Sequence, residues 1–226
     1  MESPVKMKVE IWSDVMCPFC YIGKRKFEQA LSQFENREKI EIEWKSFQLS
    51  PDMKTDPASN INAYLAKHKG ISLAEAQRMN TQVTDLASKV GLQFNFAQSV
   101  LANSFKAHCF AHFAKQKGKQ NEVEEKLFQS YFTDGKNIDD TETLLQLGAE
   151  LGLDVVELKS ALISGSFAKS VKSDIQEAQD LGVRGVPFFV FDRKYAASGA
   201  QDSQVFLQTL EKSFAEWRTE NPKTVK

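Results

Sequence analysis

Between Met7 and Ser13 the chain has the period of a β-strand, with Val9 and Ile11 on one face and Glu10 and Trp12 on the other. At Cys17 the period changes. Ile22, Phe27, Ala30, Leu31 and Phe34 recur at helical spacing, Pro18 stands at the first helical position where its missing N–H costs nothing, and Cys17 falls at the N-cap. The helix is expected to end near Asn36. Ile40, Ile42 and Trp44 then alternate with Glu41, Glu43 and Lys45, a half-buried strand closed by Pro51. Residues 7–50 therefore read as strand, helix, strand.

From about Asp56 to Gly165 the pattern becomes a succession of helices with polar caps and glycine stops. Ser72-Leu73-Ala74-Glu75 has capping-box spacing and opens a helix that can run to Gly91. Further helices are expected over Ala102 to Lys117, Glu122 to Phe132, from Asp140-Thr141-Glu142 to Gly152, and after Asp154. No internal repeat or Gly/Ser linker separates this stretch, so it should dock on the rest. After Gly165 come a helix from Phe167 to Leu181, a short apolar strand Phe188 to Phe191, a turn at Asp192-Arg193-Lys194 and a return strand through Tyr195 to Ser198. A last helix, capped at Asp202-Ser203 and reaching about Trp217, presents Val205, Phe206, Leu210 and Phe214 on one side; Asn221 to Lys226 should fray. This order predicts an α/β fold whose sheet combines a parallel unit with an antiparallel hairpin. The expected division is one domain from 1–55 and 166–226, with a helical insertion from 56–165.

At 226 residues and 42% hydrophobic content, the chain can bury a full core without metal or disulfide staples. A net charge of -1 provides no general attraction to nucleic acid or anionic membranes, so neither is an expected partner. No run approaches the roughly 18 apolar residues of a membrane span, and Met1 to Lys8 lacks the apolar core of a secretory signal. Three cysteines exclude a disulfide-stapled scaffold. A cytoplasmic location is expected, and there a close CxxC is more often catalytic or metal-binding than structural.

The chemistry concentrates at Cys17-Pro18-Phe19-Cys20. Thiols at i and i+3 on one helical turn face the same way, near the Cα separation of a disulfide. Cys17, in what reads as an exposed turn, is expected to attack, because a helix N-terminus carries partial positive charge that favours thiolate. Cys20 would then resolve the mixed disulfide. Zinc is the chemical rival, but it needs two further ligands, and His108, Cys109 and His112 are the only candidates. Their helix also carries Phe105, Phe110 and Phe113, so ordinary packing is the better reading and no metal is expected. Lys24 and Arg25 read as solvated helix charges.

Trp12-Ser13-Asp14-Val15-Met16-Cys17-Pro18-Phe19-Cys20-Tyr21-Ile22-Gly23, the helical middle, and Gly182-Val183-Arg184-Gly185-Val186-Pro187-Phe188-Phe189-Val190 together resemble the DsbA-type thiol-disulfide oxidoreductases of the thioredoxin superfamily, especially the FrnE-like branch. The resemblance implies a thioredoxin-like fold with a large all-helical insertion. It also implies a cis Val186-Pro187 bond beside the dithiol, catalytic roles for Cys17, Cys20 and Pro187, and substrate contacts from Val186, Pro18 and Phe19. The residues alone say only that a proline is permitted at the first position of a strand. Expected partners are protein or peptide disulfides and dithiols; no cofactor is expected beyond the redox-active disulfide, with glutathione a candidate co-substrate. Some strongly oxidising relatives have histidine where this chain has Phe19, so a less oxidising couple is expected here. Glu10 is a weaker candidate for a proton relay beneath the dithiol, a place that a one-residue shift would give to Ile11. No cysteine follows Cys109, so the second pair of some FrnE relatives is absent. Phe94, Phe96, Phe105, Phe110 and Phe132 are either core or the lining of a substrate groove. Two alternatives remain: a glutathione-dependent isomerase of a small aromatic compound, whose relatives typically have serine in place of Cys17, and a non-catalytic peptide-binding or chaperone module.

Overall fold

A computed structural model describes residues 5–222; residues 1–4, at the start of the segment read for a signal, and 223–226, most of the expected frayed end, lie outside the described residues. Strand β1 (Met7–Ser13) leads into α1 (Pro18–Gln33) and β2 (Ile40–Ser46). Six helices follow: α2 (Ile61–Lys69), α3 (Leu73–Ser88), α4 (Phe105–Gln116), α5 (Gln120–Phe132), α6 (Thr141–Glu150) and α7 (Val155–Ser164). The chain closes with α8 (Ala168–Asp180), β3 (Phe188–Phe191), β4 (Tyr195–Ser198) and α9 (Ser203–Glu220). The four strands form one sheet in the order β2-β1-β3-β4, with β1 and β2 parallel and the other pairs antiparallel. This is the expected α/β class, a thioredoxin-like fold with a helical insertion.

Because β1 is an inner strand, both of its faces are covered and Glu10 and Trp12 are buried as fully as Val9 and Ile11. Val9 and Ile11 pair with Phe191 and Phe189, whose rings meet Phe27 of α1, and Phe189 also meets Phe206 of α9. On the opposite face Trp12 packs with Ala178 of α8, Val183 and Val190. The β3–β4 turn places two non-glycine residues, Asp192 and Arg193, at positive φ (49° and 55°). Arg193 is held there by ion pairs to Glu10 and Glu177.

Helix α5 covers the β2 edge and packs towards α1, while α4 lies against α5 and α8 and reaches β2 through His112 and Lys115. An edge strand exposes unpaired backbone groups. Here the Gln120 side chain covers them: Trp44 N–H donates to Gln120 Oε1 at 3.1 Å, and Gln120 Nε2 donates to Trp44 O at 2.9 Å. Ser72 and Glu75 form the expected capping box, and Asp140 and Asp154 cap α6 and α7. Asp202 occupies the N-cap of α9 but accepts from Lys26 at 2.9 Å in place of a backbone N–H. The sequence pattern did not single out α2; it buries no residue fully, and only its Asn60 cap and left-handed Gly70 mark it. Among the described residues, no helix is long and apolar enough to cross a membrane.

Candidate active site

The dithiol sits where β1 runs out of the sheet. The Asp14 carboxylate folds the connecting turn by accepting from Met16 N–H at 3.2 Å, and it ties the turn to the loop after β2 through Leu49 N–H at 2.7 Å. Cys17 N–H donates to Asp14 O at 2.9 Å, leaving Cys17 extended (φ -89°, ψ 112°) at the N-cap of α1, with Pro18 opening the helix. The Cys17 side chain makes no capping bond to the first turn. Its thiol donates instead to Val186 O, 3.5 Å away across 169 residues of sequence. The Val186-Pro187 bond is cis. A Cβ on Gly23 would stand 2.9 Å from Pro187 Cγ, so the bare glycine lets α1 lie directly against this proline.

The expected exposure of Cys17 needs correction: the residue is 4% accessible, whereas Phe19 between the cysteines is 42% accessible. Cys17 opens sideways onto a groove of about 290 Å³, lined by Met16, Pro18, Phe19, Leu65, Phe96 and Lys69 among others. The helical insertion supplies one wall of this groove. Phe96 and Phe132 line it, Phe94 and Phe110 belong to the core, and Phe105 packs partly buried against that core. Cys20 is fully buried one turn below. Burial, followed by its contact with Cys17, pushes the Cys20 thiol well above its usual range, while Ser13 and the Asp14 N–H pull it down less strongly.

A model of the DSBA-like thioredoxin domain family matches residues 8–211. The chain belongs to this family. It is 35% identical to the probable DsbA oxidoreductase SCO1869 from Streptomyces coelicolor, whose crystal structure superposes with a TM-score of 0.86 over 93% of this chain and 91% of that one. YwbO of Bacillus subtilis (strain 168) is 29% identical over 89% of this chain and 94% of its own length. The cytosolic disulfide reductase DsbM from Pseudomonas aeruginosa shares the fold at 16% identity, with a TM-score of 0.62 and coverage of 95% and 98%.

Several side chains of this DSBA-like domain lie elsewhere than the sequence pattern implied. Lys24 is not a solvated charge: it is 2% accessible and donates to Glu125 of α5 at 2.7 Å. Arg25 joins the same carboxylate, and Tyr21 donates to it at 2.6 Å, so one acid on the insertion clamps the first two turns of α1. Glu10 lies on the β1 face turned to α8, the face opposite Ser13 and Cys20, where it pairs with Arg193 and lies 3.7 Å from Lys45. Ile11 occupies the α1 face. His108 and His112 do not converge. His112 Nε2 lies 2.8 Å from Asp174 Oδ2, and His108 Nε2 lies 3.6 Å from Asp14 Oδ1. Burial pushes the Cys109 thiol up to about 11. Among the described residues, no three His, Cys, Asp or Glu side chains are grouped to hold a metal.

Ser13, Asp14 and Gly23 stand in the sequence motif without a role of their own, His108 figures only as a candidate metal ligand, and the pattern does not pick out Glu124. Ser13, Asp14 and Gly23 flank the dithiol in sequence. Only the zinc alternative links it to His108 of α4, and nothing in the pattern links it to Glu124 of α5.

Proposed function

We propose that this chain is a thiol-disulfide oxidoreductase of the FrnE-like kind, working in the cytoplasm on protein or peptide disulfides, with glutathione as a candidate co-substrate. One observation carries the reading: Cys17 lies at the start of α1, against Val186 O, on the floor of an apolar groove, while Cys20 waits below it without solvent contact. The two thiols are thus unequal, as attack and resolution require. Cys17 attacks a substrate disulfide, forming Cys17–S–S–R and releasing one substrate thiolate. Cys20 then attacks the Cys17 sulfur, the Cys17–R bond breaks, and the second thiolate leaves as the Cys17–Cys20 disulfide forms. An extended substrate chain would lie over Pro18 and Phe19, with Val186 offering its backbone and Pro187 walling the site. Direction follows from the potential of the couple, and a cytosolic poise favours reduction or isomerisation. DsbM, a cytosolic disulfide reductase that shares the fold, supports this direction.

Insulin reduction with dithiothreitol or glutathione as donor tests the reading. Cys17→Ser is expected to abolish turnover, and Cys20→Ser to accumulate a mixed disulfide. Turnover surviving Cys17→Ser would exclude dithiol catalysis. Isomerisation of a small aromatic compound in glutathione, without any disulfide exchange, would select the isomerase reading. Peptide binding without either activity would select the chaperone reading.

A further inference from the structure

When Cys20 attacks the mixed disulfide, it must shed a proton into a region from which solvent is excluded. The Ser13 hydroxyl, which faces the Cys20 thiol, has no other hydrogen-bond partner. Two more of the four partnerless buried side-chain atoms among the described residues are His108 Nε2 and Glu124 Oε2. Buried polar atoms without partners are uncommon in native proteins and call for an explanation. His108 faces Asp14, at 3.6 Å, too long for a hydrogen bond, as well as Glu124 and the Phe47 carbonyl. Glu124 feels the charges of His108 from α4, Lys24 from α1 and Asp14 from the β1–α1 turn. Lys24 is one helical turn beyond Cys20, so both side chains project from the same stripe of α1.

We propose that the Asp14–His108–Glu124 cluster is the proton store of the resolving step, with Glu124 taking up the proton that Cys20 releases along the Ser13–Asp14 corner. This rests on the dithiol reading above and adds to it a role for the helical insertion. Cys20–SH and Glu124–COO⁻ become Cys20–S⁻ and Glu124–COOH. The thiolate then forms the Cys17–Cys20 bond and expels RS⁻ from Cys17, and Glu124 later returns its proton to solvent. The number of buried charges is unchanged, and the carboxylate that would repel the new thiolate becomes neutral. Glu124 is suited to the exchange: burial pushes it up to about 7, against the pull of His108 and Lys24. Burial also works against the His108 imidazolium, but Asp14, Glu124 and the Phe47 carbonyl outweigh it and hold His108 above its usual range. His108 and Asp14 are positioning residues, acting on Cys20 through Glu124 and the turn.

The test resolves the two steps. Reduced protein is mixed with oxidised glutathione, quenched by acid at intervals, and the mixed and internal disulfides are counted by mass spectrometry from about pH 5.5 to about pH 8.5. Wild-type closure of the Cys17–Cys20 bond is expected to inflect near neutrality. Glu124→Gln should lose the inflection and close about tenfold more slowly at pH 7, with formation of the Cys17 mixed disulfide unchanged. His108→Gln removes a neighbouring cation, so its inflection should move to higher pH. Glu10→Gln, on the other face of the sheet, should follow wild type. Closure profiles for Glu124→Gln and His108→Gln that overlay wild type would overturn the proton store, as would loss of the inflection in Glu10→Gln. Failure of every variant to form a mixed disulfide at Cys17 would instead overturn the dithiol reading itself.

Discussion

Two buried histidines one turn apart on α4 each meet an aspartate, and there the likeness ends. His112 is fully satisfied: its Nε2 lies 2.8 Å from Asp174 Oδ2 and 3.2 Å from Ser46 Oγ. Asp174 also accepts from Ser46 N–H at 2.9 Å and lies 3.4 Å from Lys45. Burial favours the neutral acid, yet His112, the Ser46 N–H and Lys45 hold the Asp174 carboxyl below its usual range. This pair joins α4, α8 and β2, and nothing in it is left to react. His108 and Asp14, by contrast, stand too far apart for a hydrogen bond, and near them the Glu124 carboxylate keeps one oxygen, Oε2, without a partner. Saturation marks the pair that holds the fold, and incompleteness marks the one behind the dithiol.

The comparison breaks first at Asp174. Asp174→Ala removes the acid that holds the buried His112 and the Ser46 N–H, and chemical denaturation should show a loss of about 3–5 kcal/mol, with the pH profile of disulfide closure in the folded protein unchanged. A loss below about 1 kcal/mol would remove the distinction. Glu124→Gln should act in the opposite sense and with a pH dependence. Its folded value, about 7, exceeds the ordinary 4.5, so the native state binds the extra proton between those values and wild-type stability falls as pH rises through that window. The variant should therefore be more stable than wild type at pH 8, by up to about 3 kcal/mol, with most of the difference gone by about pH 5 and all of it below the ordinary 4.5. Equal stability at both pH values would mean that Glu124 is not held out of its ordinary range.

The sheet was legible in the sequence because periodicity and turn chemistry agree there: β1, β2, the Asp192-Arg193-Lys194 turn and the capped starts of α3, α6 and α7 all follow the pattern. Helix α2 was not, since it lies on the surface and its apolar stripe is weak. Cys17, Cys20 and Pro187 were legible as a motif, and the structure brings Cys17 to the Val186-Pro187 corner. What failed was the inference of exposure from residue type. Lys24 reads as a solvated charge until Glu125 arrives from 101 residues away, and Cys17 reads as an exposed turn residue but is 4% accessible. The sequence leaves the place beneath the dithiol open between Glu10 and Ile11, and Glu10 lies on the far face of β1. Glu124 could not be linked to Cys20 by any local pattern, and His108 only through a shared metal, because the packing of α4 on α5 is what brings the two helices together and His108 to 3.6 Å from Asp14 in the active turn.

The two thiols of Cys17-Pro18-Phe19-Cys20 are unequal, with Cys17 on the groove and Cys20 buried beneath it. Limited alkylation of the reduced, folded protein with iodoacetamide at neutral pH, followed by peptide mapping, measures that inequality directly. The account predicts that Cys17 carries the label at least about tenfold faster than Cys20, and that Cys20 reacts fully only after unfolding. Equal labelling of the two, or label appearing first on Cys20, would contradict it.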